Sequence, residues 1–362
     1  MSRDESGAGA RPARGQGPRE GLRPGLVWPE RVGTQPGDLT RGTARGPRHR
    51  RSSRGLYVPA DVELTVEQRI VEAAALLHGW GGVTGWAGLR WMGGFWFEGL
   101  LGDGATPAPV PLAVGQNHPV MAQDGVVISN ANVPPHHQVR VDGVRVTTPL
   151  RSVTYEMRRA PTVLEAAKVF AMAAYGDFVS VEELQSFTER ELNAKTGVGT
   201  VRDSFPFLTE NAWSPMEVEM FYVWVVVGGF PPPLFNVPVF DCHGRHVATL
   251  DLLDPVSGVG GEYAGVVHIR QAVRDHDVGR EGTVRRLGLE PVTMVAADRR
   301  DPAALVQRLR DAYARAARLP SSERLWTIEQ PSWWIDTSTV ARRRALTEGQ
   351  RAVALRWRRT AA

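Results

Sequence analysis

Cysteine is almost absent from this 362-residue chain, which contains Cys242 and no second thiol. A single thiol excludes an internal disulfide and a metal site built from several cysteines. The longest apolar run spans 220–230, whereas a bilayer-spanning helix needs about 18 apolar residues or more. No apolar segment follows the N-terminal arginines, which argues against a signal peptide. These absences predict a cytoplasmic protein that does not enter membranes.

Lysine is also scarce, because Lys168 and Lys195 are the two lysines among 43 basic residues, and we expect both at the surface. The arginines concentrate at the ends of the chain. Residues 1–55 contain 12 Arg against 5 acidic residues, and residues 338–362 contain 7 Arg against one Glu, although the net charge is only +4. The middle of the chain is therefore acidic. Basic ends suit contact with an anionic polymer such as DNA, but an arginine-rich composition alone explains them equally well.

The N-terminal half divides into a basic arm and a mixed α+β region. Residues 1–36 contain 7 Gly and 5 Pro without periodicity, which predicts a disordered arm. Within 37–205, Thr65 precedes a helical apolar pattern and predicts an N-cap. Asp142 and Gly143 lie between alternating valines and predict a hairpin.

The segment 206–318 has the pattern of a compact α/β domain. Ser214 predicts the start of a helix, and Glu217 three residues later would complete a capping box. The predicted order is then three strands, a helix, a strand and a further helix. Residues 319–362 follow as a basic tail with an amphipathic helix, whose apolar stripe would contain Leu346, Val353 and Trp357.

Two carboxylates fall on neighbouring predicted strands of this segment. Asp251 lies in "VATLDLL", and Glu262 begins the strand "GGEYAGVVH" after two glycines. Like charges at this spacing repel, and a divalent cation such as Mg²⁺ or Mn²⁺ relieves that repulsion through oxygen ligands. Metal-dependent hydrolysis of phosphodiesters is one function that this arrangement permits among several.

The order "SPMEVEM…FNVPVFDCHGRHVATLDLLDP…GEYAGVVH…DHDVGREGTVRRLGLEPV" resembles the very-short-patch-repair-like branch of PD-(D/E)xK endonucleases, of the type found in many actinobacterial proteins. The match covers roughly 206–315. The usual motif lysine is missing in that branch, and here neither lysine of the chain lies in the matching segment. The resemblance implies a restriction-endonuclease-like domain that acts on DNA. The matching positions are Glu217, Asp251, Glu262, Tyr263, Gly265, His268, Asp277, Arg280 and Gly288.

The resemblance also assigns roles to these side chains. Asp251 and Glu262 would hold Mg²⁺ or Mn²⁺, with Glu217 as an outer ligand. His268 would be the general base or would position the attacking water. A strand-end histidine bound to the backbone, and a capping glutamate at 217, are the plainer alternatives.

Two further matching positions lie on the predicted helix after His268. Asp277 and Arg280 would contact the scissile phosphate or support the acidic cluster. A surface pair at i, i+3 explains them as well, and an ion pair with Arg280 is an alternative role for Glu262.

One position departs from the family pattern. The family motif Glu-Tyr-Asp-Gly reads Glu-Tyr-Ala-Gly here, so Ala264 replaces a carboxylate. The alternative function is therefore a catalytically inactive DNA-binding regulator or antitoxin-like protein. A third possibility is an interaction protein whose basic ends hold another macromolecule.

The N-terminal half resembles, more loosely, the abortive-infection (type IV) antitoxin-like proteins of actinobacteria. The layout matches over 51–58, 65–94 and 144–153, with only a remnant of a winged helix before it. This resemblance implies DNA contact and a cognate toxin or other protein partner. The arginines expected to contact DNA are Arg48, Arg50, Arg51 and Arg54.

Overall fold

The computed structural model describes residues 21–33, 38–116, 118–264 and 282–359. Helices and strands alternate in both halves of the chain, and the predicted mixed α/β class is confirmed. The chain divides into two compact units between Ser152 and Val153. Among the described residues, no helix is both long and apolar enough to cross a membrane.

The first unit contains a three-stranded antiparallel sheet and a five-stranded mixed sheet. The small sheet has the order β1-β3-β2, and the larger sheet has the order β6-β5-β4-β8-β7. Its strands are β1 Glu30–Arg31, β2 His49–Ser53, β3 Leu56–Pro59, β4 Gly82–Val83, β5 Val110–Ala113, β6 Val126–Ser129, β7 Gln138–Val141 and β8 Val144–Thr147. Its helices are α1 Arg41–Ala44, α2 Val66–Ala74 and α3 Gly85–Trp91, and α4 Pro149–Met157 runs across the division between the units.

Local sequence signals set several of these boundaries. The Thr65 side chain accepts a hydrogen bond from the backbone N–H of Gln68, so it caps α2 as predicted. Asp142 and Gly143 both have positive φ, 42° and 78°, between β7 and β8. Positive φ at both central residues is the geometry of a two-residue type I′ hairpin, and this prediction is confirmed.

The second unit is built around one mixed five-stranded sheet with the order β12-β11-β10-β9-β13. Strands β9, β10 and β11 form an antiparallel meander, and β12 returns parallel to β11. The strands are β9 Leu234–Asp241, β10 His246–Asp254, β11 Val259–Ala264, β12 Glu290–Val295 and β13 Trp326–Thr327. The helices are α5 Val163–Tyr175, α6 Val181–Glu191, α7 Val198–Ser204, α8 Pro215–Tyr222, α9 Ala303–Ala316, α10 Val340–Arg344 and α11 Glu348–Ala354.

This unit begins earlier in the chain than the domain boundary expected at 206. Helix α5 packs on α8, and Lys168 of α5 binds Glu219 of α8 at 2.7 Å between Nζ and Oε2. Lys168 is only 9% exposed, so its interpretation as a surface residue is wrong. An ion pair buried between two helices ties the segment before 206 to the sheet.

Apolar side chains cover the sheet of the second unit in two clusters. One cluster joins α8 and α9 to the strands through residues such as Met220, Trp224 and Leu252. The other includes Leu250 and Leu253. Helix α8, which belongs to the first cluster, carries Glu217, the first residue of the candidate site.

The basic tail forms two short helices where one amphipathic helix was expected. Thr347 accepts a hydrogen bond from the backbone N–H of Gln350 as the N-cap of α11 and so starts a new helix after α10. Val353, expected on the apolar stripe, is 58% exposed. Arg343 of α10, in contrast, is fully buried and binds Asp177 at 2.6 Å. The tail is therefore anchored to the second unit through an arginine.

Candidate active site

Three carboxyl groups predicted from the sequence lie on adjacent elements of the second unit. Glu217 lies on α8, Asp251 on β10 and Glu262 on β11. Leu252 pairs with Gly261 across the two strands, and the two strand carboxylates each lie one residue beyond that pair at the same end. The antiparallel register therefore brings Asp251 and Glu262 together, as the sequence predicts.

Glycine before Glu262 allows α8 to lie close to β11. A Cβ atom on Gly261 would lie 3.0 Å from the Trp224 ring and 3.1 Å from Met220 Sδ. Real Cβ contacts are seldom this short, so the close approach of helix and strand depends on glycine here. The "GG" before Glu262 thus has a packing role, because it lets the helix that bears Glu217 reach the strand that bears Glu262.

Glu217 is 3% exposed and its carboxylate is held by two donors. Its Oε2 accepts hydrogen bonds from the backbone N–H of Trp213 at 2.8 Å and from Nδ2 of Asn236 at 2.6 Å. Ser214 caps the helix as predicted, since its Oγ accepts from the Glu217 N–H. The side-chain half of the expected capping box is different, because the Glu217 carboxylate binds Trp213 instead of Ser214. A capping role alone does not account for this buried carboxyl group.

The protonation of Glu217 reports the electrostatics of the site. Burial, followed by the neighbouring charge of Asp251, raises its pKa to about 8, while hydrogen bonds from Trp213 and Asn236 oppose the shift. Glu217 therefore retains its proton near neutral pH, chiefly because it is buried and secondly because Asp251 is near. A carboxyl pair of this kind in a protein interior is typical of functional sites.

Asn236 is a site residue that the sequence reasoning missed. It lies within β9, is 4% exposed, and has a positive φ of 47°. Its Nδ2 donates to the backbone oxygen of Asn211 at 2.6 Å as well as to Glu217, and the Asn211 amide donates to the Phe235 oxygen at 2.7 Å. Left-handed backbone inside a strand costs free energy and concentrates at functional sites. The asparagine in "LFNVP" was the available signal, since asparagine adopts positive φ more readily than most residues.

The two strand carboxylates supply oxygen atoms, which is the ligand type that Mg²⁺ and Mn²⁺ use. Asp251 Oδ2 accepts from the Tyr263 N–H at 2.8 Å, and Glu262 is partly buried. Within the described ranges, no group of three or more histidine, cysteine, aspartate or glutamate side chains is arranged to hold a metal ion. Mg²⁺ commonly keeps several waters and uses only one or two carboxylates together with substrate phosphates. The pair Asp251 and Glu262 agrees with that mode.

His268, Asp277 and Arg280 lie outside the residues that the structure describes. Ala264, which replaces the family aspartate, is exposed at the end of β11 opposite Val295. It lies on the strand that carries Glu262.

The arginines expected to contact DNA differ in their surroundings. Arg50 binds Glu72 through both terminal nitrogens, at 2.5 and 2.9 Å, and so neutralises a buried carboxylate. Arg48, Arg51 and Arg54 are exposed on or beside β2. A guanidinium engaged on both nitrogens has little left for a phosphate, so the exposed three are the better candidates.

Comparisons with protein families, with curated proteins and with solved structures give no match for this chain. The interpretation of the site therefore depends on its own geometry and on the motif resemblance described above.

Proposed function

We propose that the protein hydrolyses phosphodiester bonds in DNA with the help of Mg²⁺ or Mn²⁺, in the manner of PD-(D/E)xK endonucleases. The observation that carries this proposal is the placement of Asp251 and Glu262 at neighbouring positions of two paired strands, with the buried Glu217 close enough to Asp251 for their charges to interact. Support also comes from the element order, since α8, β10, β11 and β12 follow one another in the order that the resemblance implies.

The proposal gives each described side chain a separate task. Asp251 and Glu262 would hold the cation, and Glu217 would bind one of its waters from the helix side. A bound divalent cation lowers the pKa of a water ligand and neutralises charge on the phosphate. Trp213 and Asn236 keep the Glu217 carboxylate in place, and the Tyr263 N–H fixes Asp251. His268 remains the proposed base that takes a proton from water.

The test is a supercoiled-plasmid nicking assay of the purified protein in Mg²⁺, in Mn²⁺ and in chelator. We expect nicking only with the metal, and we expect Asp251→Ala or Glu262→Ala to abolish it. Asp311→Ala is the matched control, because Asp311 is an exposed carboxylate on α9. Cleavage that survives Asp251→Ala would show that the site is wrong.

The second candidate is a DNA-binding regulator that has lost the chemistry. Ala264 is the specific observation in its favour, since a methyl group stands where the family has a carboxylate. If the protein retards DNA on a gel in chelator but never nicks it, the regulator is the better description. Ala264→Asp would then be expected to create metal-dependent nicking, and a failure to do so would mean that the lost chemistry has another cause. An antitoxin-like role with a protein partner belongs to this second candidate.

A further inference from the structure

A cleft of about 690 Å³ opens beside the candidate active site, within the second unit. The start of β9 forms one wall, and the segment 328–338 from the tail forms another. Asn236 and Trp213, which hold the Glu217 carboxylate, both line it. The volume is in the range of pockets that bind small organic ligands. The cleft and the carboxyl site therefore share two residues.

Each of the two shared residues has a buried polar atom that takes no part in holding Glu217. Asn236 Oδ1 and Trp213 Nε1 are buried, and neither has a hydrogen-bond partner among the described residues. The orientation of the Asn236 amide is fixed because its nitrogen lies 2.6 Å from two acceptors, on Glu217 and Asn211. Buried polar atoms without partners cost free energy, and such atoms are typically satisfied by a ligand or by water. One acceptor and one donor therefore lack partners in the two residues that the cleft shares with the carboxyl site.

The walls of the cleft are aromatic. Trp334 stacks on His246 with ring centroids 5.0 Å apart and packs edge-on against Phe240 at 5.2 Å, so its ring is held in place. Trp333 is 58% exposed beside it. Arg356 lines the same cleft and supplies a positive charge. A fixed ring, an exposed ring and a guanidinium together suit a planar ligand attached to a phosphate.

We infer that this cleft binds a nucleobase, which stacks on the tryptophans and bonds through its polar edge to Trp213 Nε1 and Asn236 Oδ1. Every base offers a flat face for stacking, and its edge carries both donors and acceptors. A base in the cleft would contact the two residues that position Glu217, so base binding and the carboxyl site are linked. The inference deepens the proposed function, on which it rests for the view that the ligand comes from nucleic acid.

The test measures binding in chelator, so that no hydrolysis contributes. The ligands are a five-nucleotide oligothymidylate, an abasic oligomer of the same length and charge, and free thymidine monophosphate. We expect the oligothymidylate to bind at least about five-fold more tightly than the abasic oligomer, as expected for one stacked base. Binding of thymidine monophosphate with comparable affinity would identify a free nucleotide as the ligand, and its failure to bind would identify a strand.

Two matched variants connect that difference to the cleft. Val353 lines the cleft and is 58% exposed, so Val353→Trp should fill it without disturbing a core. Val256 is 82% exposed in the β10–β11 turn and does not line it, so Val256→Trp is the control. We expect the first variant to remove the preference for base-bearing ligands and the second to retain it. The indole N–H resonance of Trp213, assigned with Trp213→Phe, should shift when the base-bearing ligand binds.

Equal affinity for the base-bearing and abasic oligomers would overturn the inference, and so would a preference that Val353→Trp leaves intact. These results are independent of the nicking assay. Nicking without a base preference would remove the cleft inference alone. A base preference that Val353→Trp abolishes, in a protein that never nicks DNA, would leave the cleft inference standing and would remove only the nuclease.

Discussion

Glu217 links the chemistry of the candidate site to the stability of the fold at the residue scale. Its pKa of about 8 in the folded protein compares with an ordinary value of 4.5. Between these two values the folded protein keeps a proton that the unfolded chain has released. The contribution of Glu217 to the free energy of unfolding therefore falls as pH rises through this range, by at most about 1.4 kcal/mol per pH unit for one proton.

The pH dependence of Glu217 can be isolated with Glu217→Gln. The amide has nearly the same shape and does not titrate. In the variant, the free energy of unfolding should therefore fall less steeply between about pH 5 and pH 8 than in the unmodified protein. Urea denaturation in chelator at several pH values measures this. An unchanged pH slope in Glu217→Gln would show that the carboxyl group is ionised in the folded protein.

Asn236 combines strained backbone with a hydrogen bond to the site, and two substitutions separate these effects. Asn236→Gly and Asn236→Ala both remove the amide that holds Glu217. Only alanine also places a Cβ at φ 47°. We expect alanine to be less stable than glycine by about 1 kcal/mol in urea denaturation, because left-handed backbone penalises a Cβ. Equal stability would mean that the strand relaxes to an extended conformation once the amide is gone.

The sequence predicted the carboxylates better than it predicted their environment. Asp251 and Glu262 follow from strand alternation and from a recognisable motif order, both of which are local. Trp213 and Asn236 bind Glu217 together because the start of α8 lies beside β9. No local sequence pattern predicts that contact. The burial of Lys168 was missed for the same reason, since its partner Glu219 lies 51 residues away.

At the scale of elements, the distance between α8 and β11 is set by Gly261. Alanine there would place its Cβ 3.0 Å from Trp224 and 3.1 Å from Met220, both buried. We expect Gly261→Ala to destabilise the protein by about 1–3 kcal/mol, the usual cost of overpacking. Thermal or urea denaturation measures the change.

Gly349 on α11 is the matched control for that substitution. A Cβ atom there would meet nothing within 4 Å, and the residue is exposed. Gly349→Ala should therefore be neutral or stabilising by up to about 1 kcal/mol, since alanine favours a helix. Equal stability changes in the two variants would show that the packing of α8 on β11 does not require glycine at 261.

Element order was largely predictable from the sequence, whereas element ends in the tail were not. Capping residues and the Asp-Gly hairpin are short-range signals, and Thr65, Ser214 and Asp142 act as expected. In the tail, the apolar spacing suggested one helix, but the Thr347 cap divides it. The Thr347 cap and the bond of Arg343 to Asp177 determine the helices of the tail, although its apolar residues are spaced as in one helix.

On the scale of the whole molecule, some of the C-terminal arginines form ion pairs within the second unit. Arg343 is fully buried and bonds to Asp177, Ala174 and Thr337. Arg351 also binds Asp177, at 2.5 Å. These arginines hold the tail to the second unit, so removing 338–362 would disturb the fold as well as the charge.

Arg343→Met tests this anchoring role directly. Breaking one side of a buried ion pair typically costs about 3–5 kcal/mol, and Arg351 remains to offset part of that for Asp177. We expect urea denaturation to show a decrease in the free energy of unfolding near the lower end of this range. Arg310, exposed on α9, provides the control, because Arg310→Met should change stability by no more than about 0.5 kcal/mol. Equal effects would show that the tail is not anchored by Arg343.

DNA contact by the N-terminal half is better tested by substitution than by truncation. Arg48, Arg51 and Arg54 are exposed, whereas Arg50 neutralises Glu72 and is left in place. Each phosphate contact adds about 0.9 to the slope of log affinity against log salt concentration on duplex DNA. The triple alanine variant should therefore lower that slope by up to about 2.7. Titration of a labelled duplex between 50 and 200 mM salt (roughly the range in which such slopes are measured) gives the value.

The matched control removes the same charge elsewhere, through Arg300, Arg310 and Arg318, which are exposed in the second unit. Both triple variants lower the net charge equally, so a general electrostatic attraction predicts the same change for both. A specific contact predicts a smaller slope only for the β2 arginines. If the control has the larger effect, DNA lies against the second unit, and the basic stretch before β3 serves a purpose other than phosphate contact. Because the cleft and the carboxyl site both belong to the second unit, that outcome would leave them accessible to DNA without any contribution from the N-terminal half.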